Sequence, residues 1–291
     1  MFLLKQSTHR MLIQHDERVG HRFVPNQFAR LTNEAGGYFV KTNSAGFRSD
    51  HEFVAERGDK PRILMFGDSY TAGDNVCNAD RYSDQLAKLL DCEVFNFGVS
   101  GSGTDQHALL HDSYAKGIEA DAIVICVQID SFHRIQTSHR PSVDRVTGKK
   151  VRVPKPYFKL SDGELVLHQV PVPIERDEIE NGAAEQNGKR DDDLLAKIHD
   201  VYSMVPGLKQ IRKSALFSDA GSRLITEFKR LRGHHPYPDI QSDDTPGWKL
   251  MSAILQRFIE QAQPLPVFIF PIPTRDFYLV GMEPMYQPLF E

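Results

Sequence analysis

Short apolar runs that end in small polar residues alternate with amphipathic segments in the first half of this chain. The first run, residues 62–66, is rich in Ile, Leu, Met and Phe and stops at a Gly-Asp-Ser tripeptide at 67–69. A second apolar run ends at Gly98, and a third ends at Asp130. Runs of this length, apolar on both faces and bounded by turn residues, predict buried strands of a parallel sheet.

The segments between these runs have helical periodicity. Residues 80–90 place their large apolar side chains on one helical stripe, and residues 104–116 predict a second helix with a less regular stripe. Two successive strand-helix-strand units with right-handed crossovers bring all three strand ends to one edge of the sheet. We therefore expect Ser69, Gly98 and Asp130 to lie close together.

Ser69 holds the position of a nucleophile in this arrangement. In open α/β sheets, ligands and catalytic groups gather at the carboxyl ends of the strands, and Ser69 directly follows the first strand. An alternative interpretation is that the tripeptide is only a polar turn, in which Asp68 or Ser69 caps the following helix.

The three blocks together resemble the SGNH hydrolases, also called GDSL hydrolases. The match consists of Gly-Asp-Ser at 67–69, Asn-Phe-Gly with its trailing Val-Ser-Gly at 96–101, and Asp130 at the position of the third block's asparagine. Residues 38–48 are also similar to the segment that precedes the first block in many bacterial members. The resemblance, over about residues 38–291, implies a three-layer α/β/α flavodoxin-like fold with a parallel sheet. The hairpins and helices predicted from the residues after the third strand add an inserted hairpin and helical subdomain.

The resemblance also implies acyl transfer by a serine, with no cofactor. Ser69 would attack an ester carbonyl to form an acyl-enzyme while a histidine takes the serine proton. The N–H groups of Ser69 and Gly98 and the side chain at position 130 would bind the oxyanion. This division of labour is necessary because a serine hydroxyl is a weak nucleophile without a base and the developing oxyanion needs preset donors.

Asp130 is the first departure from the family pattern. A carboxylate carries no N–H, and the loss of one oxyanion donor costs about 3 to 4 kcal/mol in a comparable site. Three interpretations remain open: Asp130 acts in protonated form, the amide of Gln128 replaces it, or Asp130 is an N-cap or turn residue.

The histidine block is the second departure. The family has an Asp-x-x-His block near its carboxyl terminus, after a further strand, but none follows residues 266–274, which are predicted to be the fourth strand. The same spacing occurs once, as Asp130-Ser-Phe-His133, so His133 is a possible base, and a chance match is the alternative. We therefore expect either that the protein continues beyond Glu291 or that it has lost its base.

Composition excludes several other classes of protein. A formal net charge of -4 gives no electrostatic footprint for nucleic acid. Three cysteines, an odd number, do not form a disulfide framework. No run of about 18 apolar residues predicts a membrane span, and the apolar start at 1–5 is too short for a signal peptide, which favours a cytoplasmic location.

The chain is expected to have four parts. Hairpins are predicted at 143–153 and 157–170, an acidic solvated linker at 175–193, and helices at 194–205, 224–231 and 245–259. The His234-His235 pair lacks a third ligand, so no metal is expected. The predicted parts are an irregular amino-terminal extension with short strands near 36–41 (1–58), the first half of the core (59–135), an inserted lid-like subdomain (136–247) and the core continuation without the family's last strand and histidine block (248–291).

The sequence thus favours a serine esterase that removes an acyl or acetyl group from a small-molecule or carbohydrate ester, with a carbohydrate preferred by analogy. The inserted subdomain would shape the acyl or sugar pocket, or would pack in a homo-oligomer. Two other functions remain open. One is an O-acyltransferase on the same scaffold, and the other is a non-catalytic binding domain.

Overall fold

The computed structural model describes residues 12–32, 36–144, 147–178, 237–240, 242–273 and 286–290. The chain divides into two compact units, of which the first consists of Met1–Glu178, Asp239–Pro273 and Met285–Glu291. The second unit, Ile179–Pro238 with Thr274–Pro284, falls almost wholly outside the described residues. The helices predicted at 194–205 and 224–231, most of the predicted acidic linker and the His234-His235 pair also lie outside them.

Two antiparallel hairpins precede the core. The first joins β1 (Ile13–Asp16) to β2 (Gly20–Phe23), and the second joins β3 (Phe28–Leu31) to β4 (Tyr38–Lys41). The expectation of an irregular extension is therefore wrong for residues 13–31, whereas the short strand near 36–41 was expected and residues 43–58 contain no strand or helix. Some inward-facing side chains of these strands are polar, among them His21 at 1% exposure. The alternation of apolar and polar residues that is typical of a strand is therefore not visible in the sequence.

The remaining elements follow in chain order. The strands are β5 (Arg62–Phe66), β6 (Glu93–Asn96), β7 (Ala122–Gln128), β8 (His139–Val143), β9 (Lys150–Pro154), β10 (Tyr157–Ser161), β11 (Glu164–His168), β12 (Asp177–Glu178) and β13 (Val267–Ile272). The helices are α1 (Ser69–Ala72), α2 (Tyr82–Leu90), α3 (Thr104–Leu110), α4 (Pro246–Ala262) and α5 (Gln287–Phe290).

The central sheet has the order β13-β7-β5-β6, and every pairing within it is parallel. Neighbouring residues of β5 face opposite sides of the sheet. Met65 belongs to an apolar cluster that includes Leu86 of α2, whereas the ring of Phe66 packs 5.1 Å from that of Phe258 in α4. Helices thus cover both faces, and the predicted three-layer α/β/α fold is confirmed.

Local sequence signals account for the other described elements. The hairpin β10-β11 turns at Asp162 and Gly163, both with positive φ (51° and 84°), as a two-residue hairpin turn requires. Helix α4 begins after Thr245, whose hydroxyl accepts the Trp248 N–H at 3.2 Å. The second strand of the hairpin β8-β9 lies within one residue of the range predicted for it, whereas β8 begins at His139, four residues before the predicted start. The boundaries 136–247 of an inserted subdomain stay a prediction.

Two features of composition can be placed on the fold. Among the described residues, no helix combines the length and the apolar character needed to cross a membrane. Cys77, Cys92 and Cys126 are free thiols, and Cys126 is buried in β7, where it packs as a small apolar side chain.

Candidate active site

Ser69 is the first residue of α1, directly after β5. The cap of this helix is Asp68, whose Oδ1 accepts the Tyr70 N–H at 3.0 Å. Ser69 is partly exposed, and within the described residues neither its N–H nor its hydroxyl has a hydrogen-bond partner. Asp68 therefore caps α1, and the hydroxyl of Ser69 is not used for capping and stays accessible to a substrate.

Two glycines let α1 settle onto the ends of the strands. A Cβ at Gly67 would lie 1.9 Å from Thr71 Oγ1, and a Cβ at Gly98 would lie 2.4 Å from the backbone nitrogen of Ala72. Side chains at either position would push α1 away from the sheet. The glycines of the first two sequence blocks thus allow α1 to pack closely on the sheet, and this packing sets the position of Ser69 relative to the strand ends.

Asn96 joins the second block to the underside of α1. Its Nδ2 donates to Thr71 O and to Ser83 Oγ, both at 2.7 Å, and its Oδ1 accepts the Gly98 N–H at 2.8 Å. The N–H that the resemblance assigns to the oxyanion is therefore already engaged. An oxyanion would have to share it with Asn96 Oδ1, and the role of Gly98 as an oxyanion donor stays a prediction.

The third block reaches the first through Asp68. A 3₁₀ helix, Ile129–Gln136, follows β7, and from it Ser131 Oγ donates to Asp68 Oδ2 at 2.9 Å. Arg134 Nη1 donates to the same oxygen at 3.0 Å and to Ser102 O at 3.0 Å. Asp68, only 2% exposed, therefore connects the ends of β5 and β7 and the loop after β6.

The other third-block residues are placed less completely. Asp130 is the second residue of the 3₁₀ helix, His133 is exposed on it, and the roles predicted for both stay predictions. The side-chain oxygen of Gln128, the alternative amide, also lies within hydrogen-bond distance of Ser131 Oγ. Since a hydroxyl carries one proton, Gln128 competes with Asp68 Oδ2 for that donor.

Two buried histidines near this edge, His21 and His107, are structural. His21 Nε2 lies 3.0 Å from Ser100 O, and His107 Nε2 lies 3.0 Å from Ser102 Oγ. Burial lowers the pKa of His21 well below its usual range and lowers the pKa of His107 to about 3, so both are neutral at pH 7. Of the histidines in the described segments, none hydrogen-bonds to Ser69.

Asp74 is a second carboxylate close to the candidate nucleophile. Its backbone N–H donates to Ser69 O at 2.9 Å, and its Oδ1 accepts the Ser100 hydroxyl at 2.6 Å. Burial raises the pKa of Asp74 to about 6, although the Ser100 hydroxyl and the Arg48 charge lower it. Asp74 thus ties the end of α1 to the second block.

Residues that the sequence analysis missed carry much of this geometry. Arg134 follows Asp130 by four residues on one helical segment, a spacing visible in the sequence, but its partner Asp68 is 66 residues away. The sequence analysis also did not identify the structural role of Arg48 in the segment 38–48. Its guanidinium donates to the carbonyls of Gly73 and Val76, which fixes the exit from α1.

No group of three or more His, Cys, Asp or Glu side chains arranged for a metal ion occurs in the part of the chain that the structure describes. The chemistry available at this edge is that of a serine hydroxyl, backbone N–H groups and a guanidinium.

One family model and a few solved structures match part of this chain. Residues 63–155, about a third of the chain, match the family model GDSL-like Lipase/Acylhydrolase. Among solved structures, the chain is similar to AlinE4, described as an SGNH-hydrolase family esterase, with 23% identity and a TM-score of 0.23. That alignment covers 27% of this chain and 46% of AlinE4.

Two mutants of AlinE4 match with the same TM-score and coverage, at 22% and 23% identity. The chain therefore spans less than half of the length of these structures. No curated protein matches the sequence. The segment 63–155, which contains Ser69, Gly98 and Arg134, is similar to the GDSL-like lipases and acylhydrolases.

Proposed function

We propose that this protein is a serine hydrolase that cleaves an ester through an acyl-enzyme on Ser69. The observation that carries the proposal is the state of Ser69 at the start of α1. It is partly exposed, it stands at the carboxyl edge of a parallel sheet, and its hydroxyl and N–H have no partner within the described residues. The family match over 63–155 supports ester hydrolysis.

The proposed reaction has two steps. Ser69 Oγ attacks the ester carbonyl, its proton passes to a base, and the alkoxy group leaves as the alcohol once it is protonated. Water then attacks the acyl-enzyme, which releases the acid and restores the Ser69 hydroxyl. The Ser69 N–H supplies one oxyanion donor, and the Gly98 N–H, shared with Asn96, supplies a second.

The proposed reaction needs a base that takes the Ser69 proton. We propose His133, because the 3₁₀ helix that carries it contacts Asp68 through Ser131 and because it is exposed. A test is the pH profile of hydrolysis by a His133→Gln variant. Loss of the acidic limb of the profile supports His133 as the base, and an unchanged profile excludes it.

Hydrolysis of p-nitrophenyl acetate by wild type, Ser69→Ala and Ser44→Ala tests the central assignment. Ser44 is an exposed serine that hydrogen-bonds to Glu52, and it serves as the matched control. We expect activity in wild type and Ser44→Ala and none above background in Ser69→Ala. Equal activity in all three proteins would reject Ser69 as nucleophile, and no activity in any of them would favour a non-catalytic binding domain.

We further propose an O-acylated carbohydrate as the substrate class, an assignment that rests on the sequence resemblance. An O-acyltransferase would use the same acyl-enzyme and replace water with a sugar hydroxyl. The two reactions differ in product. Incubation of an acyl donor with a mixture of sugars gives free acid from a hydrolase and an acylated sugar from a transferase, and mass spectrometry distinguishes them.

A further inference from the structure

Arg134 is the only cationic side chain that hydrogen-bonds to the Gly-Asp-Ser block within the described residues. Both of its printed bonds use the same nitrogen. Nη1 donates to Asp68 Oδ2 and to Ser102 O, each at 3.0 Å. Since Nη1 carries two N–H groups, these two bonds use all of its donor capacity.

The other three donors of Arg134 remain open. A guanidinium has five N–H groups, and within the described residues Nε and Nη2 have no hydrogen-bond partner. The side chain is 27% exposed, so these groups can reach solvent. The Nε and Nη2 edge is one of those that bind a carboxylate or phosphate through two parallel hydrogen bonds.

Asp68 does not compete for this open edge. Its Oδ1 accepts the Tyr70 N–H, and its Oδ2 accepts from Ser131 Oγ and from Arg134 Nη1. The aspartate is therefore buried with three donors already bound, two of them on Oδ2, and it holds the guanidinium by one nitrogen only. This arrangement fixes the direction of the guanidinium and leaves its second edge available.

The titratable groups near Arg134 affect whether an anion can bind to its open edge. It lies near enough to influence the pKa of Asp74, His21 and His107. Asp74 is hydrogen-bonded to Ser100 and also experiences the charge of Arg48, and both histidines are neutral because they are buried. Asp74 carries a charge that would repel an anion, and so does Asp68, which forms an ion pair with Arg134 itself.

We propose that the open edge of Arg134 binds an anionic group, a carboxylate or a phosphate, on the ester substrate. Asp68 is the residue before Ser69, so the hydrogen bond from Arg134 to Asp68 brings the guanidinium into the neighbourhood of the candidate nucleophile. The site would then select esters that carry a negative charge close to the scissile bond. This inference rests on the proposed function.

A pair of matched esters tests the proposal. Mono-p-nitrophenyl succinate carries a carboxylate, whereas p-nitrophenyl butyrate has the same acyl length and no charge. We expect wild type to prefer the succinate ester. Arg134→Lys keeps the charge and can still bind Asp68, but it loses the two-point edge, so kcat/KM for the succinate ester should fall roughly tenfold to hundredfold, mainly through KM.

The neutral ester is the internal control for structural damage. Arg134→Lys also alters the contact with Asp68, and the loss of kcat/KM for p-nitrophenyl butyrate measures that structural effect. We therefore expect the ratio of kcat/KM for the succinate ester to kcat/KM for the butyrate ester to fall roughly tenfold or more. Equal losses on both esters would overturn the proposal, because they would mean that Arg134 acts only through Asp68. No loss on either ester would also overturn it.

A binding measurement separates this inference from the esterase proposal. Ser69→Ala cannot form an acyl-enzyme but keeps Arg134, so calorimetric titration with succinate and, separately, with inorganic phosphate measures the anion site alone. We expect one of the two to bind, which also identifies the anion, and binding to weaken at least tenfold in Ser69→Ala/Arg134→Gln. If neither anion binds, the proposal is wrong, whether or not wild type hydrolyses esters.

Discussion

Gly98→Ala tests how closely α1 rests on the second block. The new Cβ would lie 2.4 Å from Ala72 N, 2.7 Å from the carbonyl carbon of Thr71 and 2.8 Å from Asn96 Oδ1. Ordinary contacts of a Cβ begin at 3.4 Å. The backbone of α1 must therefore move by about 1 Å, because backbone atoms cannot rotate away as the end of a side chain can.

The expected effects of Gly98→Ala follow from this displacement. Overpacking against fixed atoms costs typically 1–3 kcal/mol, and contact with backbone places the loss of stability at about 3 kcal/mol. A shift of about 1 Å at Ser69 would lower kcat by roughly a hundredfold. Urea denaturation gives the free energy of unfolding, and p-nitrophenyl acetate hydrolysis gives kcat.

Gly58→Ala is the matched control, because a Cβ at Gly58 would meet no atom within 4 Å. We expect this variant to be as active as wild type and as stable or more stable, by up to about 1 kcal/mol, because alanine restricts the unfolded chain. If Gly98→Ala and Gly58→Ala unfold at the same urea concentration, the close packing of α1 on the second block is refuted.

Two further changes test buried charges. Lys155→Met removes the cation that faces Asp105, and both side chains are at most 1% exposed. Because the Asp105 charge would then be buried without a partner, we expect urea denaturation to show a loss of about 3 to 5 kcal/mol in the free energy of unfolding. Adding Asp105→Asn should recover much of this loss. A loss under about 1 kcal/mol would contradict this. Burial raises the pKa of Asp74 to about 6 from 3.8, so the folded protein binds this proton more tightly than the unfolded chain. Wild type should therefore lose up to about 3 kcal/mol relative to Asp74→Asn as the pH rises from 4 to 7, and a pH-independent difference would contradict the shift.

The central sheet could be predicted because its strands are apolar on both faces. The runs that became β5, β7 and β13 are each bounded by polar or turn residues, and the helices between them keep a recognisable period. The hairpin β10-β11 could be predicted from Asp-Gly at its turn. These signals are local, so one sequence is enough to detect them.

The amino-terminal hairpins and the network around Asp68 could not be predicted in the same way. β1 and β2 bury polar side chains such as Asp16 and His21, whose partners come from other parts of the chain, including Tyr114 and Ser100. Likewise, the sequence shows that Asp68 follows a strand but does not show that Arg134 neutralises it. Contacts between residues far apart in sequence leave no local period.

The candidate nucleophile could be located from sequence, whereas the state of its surroundings could not. Ser69 lies at the strand end where the motif places it. The engagement of the Gly98 N–H by Asn96 Oδ1 depends on one side-chain rotamer, and no pattern of residue types predicts it. Sequence therefore indicates which groups meet at this edge, and the structure shows which of their donors are free.

Covalent labelling of Ser69 tests the central claim most directly. The protein is incubated with a fluorophosphonate, digested, and the modified peptide is identified by mass spectrometry. A nucleophilic Ser69 predicts a single adduct on the peptide that contains Gly67-Asp68-Ser69, with no adduct in Ser69→Ala and full labelling in Ser44→Ala. Labelling that persists in Ser69→Ala, or an adduct mapped to another serine, would contradict the assignment of Ser69 as the nucleophile.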